Sequence, residues 1–138
     1  MHEFVILPHT SELRLKVFGD TRQELFTAAV EGMNSVIKEE FSPDKSLMNY
    51  RDVIEVSSKD ISMLLIDFLS ELLTLSHQYK AVFHDVMFQE FTETKIIAHV
   101  EGDGVDGFDE DIKAVTYTEA NIIKNRQGQY ETMIVFDI

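Results

Sequence analysis

The chain has 138 residues, 44% hydrophobic and 27% charged, with two prolines, six glycines and no cysteine, a make-up that suits one ordinary domain able to bury its own core. Without cysteine there is no disulfide framework, thiolate metal site or cysteine nucleophile. A formal charge of −13, from 12 Lys plus Arg against 25 Asp plus Glu, excludes direct, tight binding to a phosphate backbone as the expected activity.

Phe4 to Leu7 is apolar and stops at Pro8, and Leu13, Leu15 and Val17 alternate with Glu12, Arg14 and Lys16; period two predicts two strands. Gly19-Asp20 breaks the pattern, and Thr21-Arg22-Gln23-Glu24 has the spacing of a capping box, which starts a helix. Leu25, Phe26, Ala29, Val30, Met33, Val36 and Ile37 form its apolar stripe, and Pro43 marks the loop beyond it. Residues 52–57 alternate again as a third strand. The clearest element follows: Ile61, Leu64, Leu65, Phe68, Leu69, Leu72 and Leu75 recur at helical spacing, with Asp60 or Ser58 as cap. Residues 81–91, 95–100, 112–123 and 130–138 read as strands, with turns at Thr92-Glu93-Thr94 and Asn125 to Gly128. Together these elements predict an α+β domain over residues 1–138, a mostly antiparallel sheet of about seven strands with two helices packed on one face.

The apolar run Met63 to Ile66 is closed by Asp67, far short of the roughly 20 residues that span a bilayer. The first residues lack the basic and apolar segments of a signal peptide. A cytoplasmic location, with no membrane, is the expectation.

The acidic surplus suits plain solubility, a basic protein partner or a cation site built from carboxylates. Pro8 to Glu12 lies between two strands and can present polar groups, but His9 and Ser11 lack the oriented base and oxyanion donors that nucleophilic catalysis needs. The bland alternative there is a turn closed by Thr10 and Ser11. Asp137 stands next to the carboxylate of Ile138; such a pair serves either as oxygen ligands for a hard cation or as a frayed, solvated strand end. The acidic stretch from Asp103 to Asp111 fails the spacing of a calcium loop and reads as solvated. His77, His84 and His99 are not at ligand spacing and read as half-buried structural groups, while Asp67 and Glu71 read as a solvated helix shoulder.

Pro8 to Glu12, Gly19 with Thr21 to Ala29, Leu64 to Leu75, Lys113-Ala114-Val115-Thr116-Tyr117 and Val135-Phe136-Asp137-Ile138 occur in an order that resembles the archease family over nearly the whole chain. The resemblance implies an α+β fold and a non-catalytic protein that assists an RtcB-type RNA ligase in tRNA splicing or RNA repair. That assistance promotes guanylylation and turnover, through a metal ion handled near the ligase active site. Carried over by position, the metal ligands fall on Glu12, Asp137 and Ile138. Where Glu12 stands the family pattern has aspartate, and where Thr118 stands it has histidine. The implied cofactor is a divalent cation, calcium first, with magnesium or manganese as alternatives. The implied partner is the ligase protein, with His9 and Lys113 as contacts; a lysine opening an apolar strand does not belong wholly inside. Two other readings stand beside this one: a metal-free acidic interaction or chaperone-like module, and a metal-dependent hydrolase with His9 as base.

Overall fold

The structure is a computed structural model that describes residues 1–8, 11–40 and 49–138. Helix α1 spans Arg22–Ile37. Thr21 Oγ1 accepts the Glu24 amide at 3.1 Å, while the Glu24 carboxylate reaches back to the Asp20 amide at 3.2 Å. The Thr21 hydroxyl thus satisfies a donor that the first helical turn leaves open, and the Glu24 carboxylate holds the residue that precedes the cap. Helix α2 spans Ile61–Tyr79, and its cap is Asp60, whose Oδ1 accepts the Met63 amide at 2.9 Å. The helix runs one turn past Leu75 and stops at Lys80, which adopts the left-handed conformation with φ 54°. The chain thereby turns straight into the next strand.

Among the described residues eight strands follow the order β1 His2–Pro8, β2 Glu12–Gly19, β3 Asn49–Ser57, β4 Ala81–Phe91, β5 Lys95–Gly104, β6 Ala114–Thr116, β7 Ile123–Lys124 and β8 Tyr130–Asp137. All pair antiparallel. The expected α+β class holds, and the strands divide into two sheets: one ordered β1-β2-β8-β6 with β7 also on β8, the other β3-β5-β4. Helix α1 lies against β1, β2 and β4, and α2 against β3, β4, β5 and β6, so each helix touches both sheets. Phe26, Phe68, Phe83 and Phe136, from α1, α2, β4 and β8, are fully buried in one shared cluster, each contributing about 1.5–3 kcal/mol of transfer free energy. Among the described residues no helix is long and apolar enough to cross a membrane.

The strand expected over residues 112–123 is two short strands separated by a turn. The Ala120 amide donates to the Tyr117 carbonyl, and the next two amides are taken by side-chain hydroxyls, Asn121 by Thr132 and Ile122 by Ser62, both at 2.9 Å. Hydroxyls from α2 and β8 replace the ladder there, so the run is broken into two strands on β8. The loop marked by Pro43 lies outside the described residues.

Candidate functional site

In β2 the odd residues Leu15 and Val17 are buried, so Glu12, Arg14 and Lys16 share the opposite, outer face. Glu12 and Asp137 are register partners on β2 and β8. Directly opposed residues project from one face with Cβ atoms about 5 Å apart. Two carboxylates that lie far apart in sequence are therefore neighbours at one end of the sheet.

The end of β8 is held on both sides. Asp137 is paired with Glu12 and with Ala114, and its carbonyl accepts the Lys113 amide at 2.7 Å. The Ile138 amide donates to the Ser11 carbonyl at 3.3 Å. This is an ordered strand end, not a frayed one. The Asp137 side chain remains exposed, Ile138 and Glu12 are half-buried, and Lys113 is exposed as expected for a residue at a strand entrance. His9 and Thr10, with the partner contact, turn and general-base readings attached to them, lie outside the described residues.

Like charges directly opposed on a ladder repel. Part of that repulsion is offset by Arg14, whose Nη2 lies 3.6 Å from Glu12 Oε1 while its Nε donates to Glu119 Oε2 at 2.6 Å. Arg14 was legible in principle, since it stands two residues from Glu12 on an alternating strand. Glu119 was not, because it reaches Arg14 from the turn that splits the expected strand. Among the described residues no three His, Cys, Asp or Glu side chains gather as a metal cluster. The set that the family resemblance implies is of another kind: two side-chain carboxylates, Glu12 and Asp137, plus a carboxylate of Ile138. Its donors are hard oxygens, the chemistry that suits calcium, magnesium or manganese and not a soft ion.

Other acidic groups proved structural. Asp67 is no solvated shoulder: it accepts from Ser58 Oγ at 2.5 Å and from the Tyr117 hydroxyl, tying the 117–120 turn to α2. That hydrogen bond, then burial and the Asp67 charge, raise the Tyr117 phenol above its ordinary 10.0. Glu71 is exposed. The acidic stretch is partly built in: Asp103 is 8% exposed and lies 2.6 Å from His84 Nε2. Asp109 accepts the Glu39 amide beyond the end of α1 at 2.8 Å. Nothing in the local sequence marked either partner.

Comparison with known proteins bears on the fold and the family. Residues 4–138 match the model of the Archease protein family. A protein archease of Methanosarcina barkeri is 33% identical over 146 residues, covering 99% of this chain and 96% of the relative. One of Pyrococcus furiosus is 30% identical, with both chains covered completely. In fold, a solution structure of a Methanobacterium thermoautotrophicum protein superposes with TM-score 0.70 at 19% identity, covering 98% of each chain. A Thermotoga maritima crystal structure, described as an archease and possible chaperone, gives TM-score 0.57 at 18% identity over 96% of this chain and 94% of the other.

Proposed function

This chain belongs to the archease family, and we propose that it is a non-catalytic accessory protein that binds one divalent cation and activates an RtcB-type RNA ligase, promoting its guanylylation and turnover in tRNA splicing or RNA repair. The observation that carries the reading is the register pairing of Glu12 with Asp137, with the Ile138 amide bonded beside them to Ser11. Glu12, Asp137 and the Ile138 carboxylate would hold the ion, which supplies positive charge to a partner's reacting phosphates when bound. The protein's part is to fix those oxygens: pairing on both flanks of Asp137 limits its movement, and the exposed Asp137 side chain can meet a second protein. Exposed Lys113, whose amide is tied to Asp137, stands at that same end as a contact for the partner. The acidic surface of a chain with charge −13 favours approach to a basic, RNA-handling protein without competition for its RNA.

The decisive experiment mixes the chain in sub-stoichiometric amount with a cognate ligase, GTP and an RNA carrying 3′-phosphate and 5′-hydroxyl ends. Multiple turnovers per ligase, lost on adding chelator selective for calcium, are expected. Unchanged turnover with a ligase proven active alone would overturn the proposal. Arg14 favours one second reading, a metal-free acidic interaction module, because it supplies a built-in cation next to Glu12; stimulation that survives both chelator and Asp137→Asn would select it.

A further inference from the structure

The outer face of the three-stranded sheet carries an ordered pattern that the site at the other sheet does not use. Across its strands, Val53, His99 and Met87 form one register row. Val53 is 52% and Met87 65% exposed, which places an apolar patch in water on either side of one imidazole. The row on one side holds Arg51, Glu101 and Asp85, two carboxylates for one cation, with Arg51 3.7 Å from Glu101. Toward the other end, Lys95 is shared at 3.5 Å by Glu55 and Glu90, again two carboxylates for one cation. A shallow groove of about 490 Å³ covers the Val53–His99–Met87 row and the Arg51–Glu101–Asp85 row beside it.

From this we propose that the face docks a basic, extended segment of a partner protein, with one apolar residue seated on Met87 and Val53 and a cation two residues to either side of it. The spacing follows from the sheet. Rows on one face recur every second residue, about 6.8 Å, so the two acidic ends are separated by roughly 13–14 Å, the reach from residue i to i+4 of an extended chain. The unbranched methionine can adapt to different apolar groups, and the surplus carboxylate at each end meets a cation. The segment lies on the face and not along the edge of β3, because the Val53 amide already donates to Asp52 Oδ1 at 2.7 Å, and that carboxylate is held by the Tyr79 hydroxyl at 2.9 Å. The outer face of the larger sheet does not offer the same match, since Arg14 and Lys16 stand in its middle.

The test is amide chemical-shift mapping of the full, isotope-labelled chain with the blocked peptide Lys-Thr-Leu-Thr-Lys, in chelator so that the result is independent of any cation at Glu12 and Asp137. Shifts confined to residues 51–55, 85–90 and 97–101 are expected. Affinity should fall at least about threefold in Met87→Ser and in Asp85→Asn, both exposed positions that leave folding intact. A peptide with glutamate in place of lysine should not bind. The proposal is overturned by shifts spread over the acidic surface or on the larger sheet, by equal binding of Lys-Thr-Ser-Thr-Lys, or by shifts on this face that grow with protein concentration alone, which would make it a contact between copies of this chain.

Discussion

Replacing Asp137 by asparagine should change stability with opposite sign in the presence and absence of calcium. Without metal, the variant removes one of two carboxylates that face each other across the β2–β8 ladder. At about 5 Å two unit charges repel by roughly 0.8 kcal/mol in water and about 3 kcal/mol at an effective dielectric of 20. Asp137 is exposed and Arg14 sits 3.6 Å from Glu12, so solvent screening keeps the cost near the lower figure. In chelator, Asp137→Asn should therefore be more stable than the parent by about 0.2–1 kcal/mol, roughly 1–4 °C in Tm for a chain of this size. With calcium at about 100 times the parent's Kd, binding adds about 2.7 kcal/mol to the parent. The variant, short of one hard oxygen charge, should gain far less, and the order of melting temperatures should invert. Thermal unfolding of both proteins in chelator and across a calcium titration reads this directly. Equal calcium-induced shifts in the two proteins would refute the reasoning, as would a variant less stable than the parent in chelator, since that would make the Asp137 carboxylate a structural group.

Gly19→Ala should destabilise by about 3 kcal/mol in urea melts, because a Cβ there would lie 2.3 Å from the Leu25 backbone nitrogen and the corner between β2 and α1 cannot yield without moving the helix. Phe68→Ala, at a fully buried ring packed on Phe26 and Phe88, should cost about 3–5 kcal/mol by the same measurement. Lys113→Ala should fold with parental Tm, since the side chain is exposed and the bond to Asp137 uses the backbone amide; a loss above about 3 kcal/mol would show a buried ion pair instead. The Tyr117 phenol is raised by its hydrogen bond to Asp67, so its contribution is complete below pH 10 and is lost as pH rises through the folded value. Stability should accordingly fall less between pH 9 and 12, an interval of about three units, in Tyr117→Phe than in the parent, as read from denaturant midpoints at matched ionic strength.

What the sequence determined by itself is local. Hydrophobic period specified α2 because a stripe at three- and four-residue spacing has one compact solution, and Thr21 with Glu24 specified the start of α1 because a cap acts within one turn. Alternation located the strands and the outward face of Glu12, and the order of motifs indicated the family. Tertiary structure alone decided the partners. Alternation says that a strand has two faces, not which strand lies beside it, so the division into two sheets and the pairing of Glu12 with Asp137 depend on closure between distant segments. For the same reason residues 112–123 read as one strand: their β-branched content is local, whereas the hydroxyls of Ser62 and Thr132 that break the run arrive from α2 and β8. Asp67 and Asp103 looked solvated because a carboxylate carries no mark of its partner. Ser58, Tyr117 and His84 reach them only after the chain has folded, when leaving a carboxylate withdrawn from water without donors would cost more than fixing the side chains that supply them.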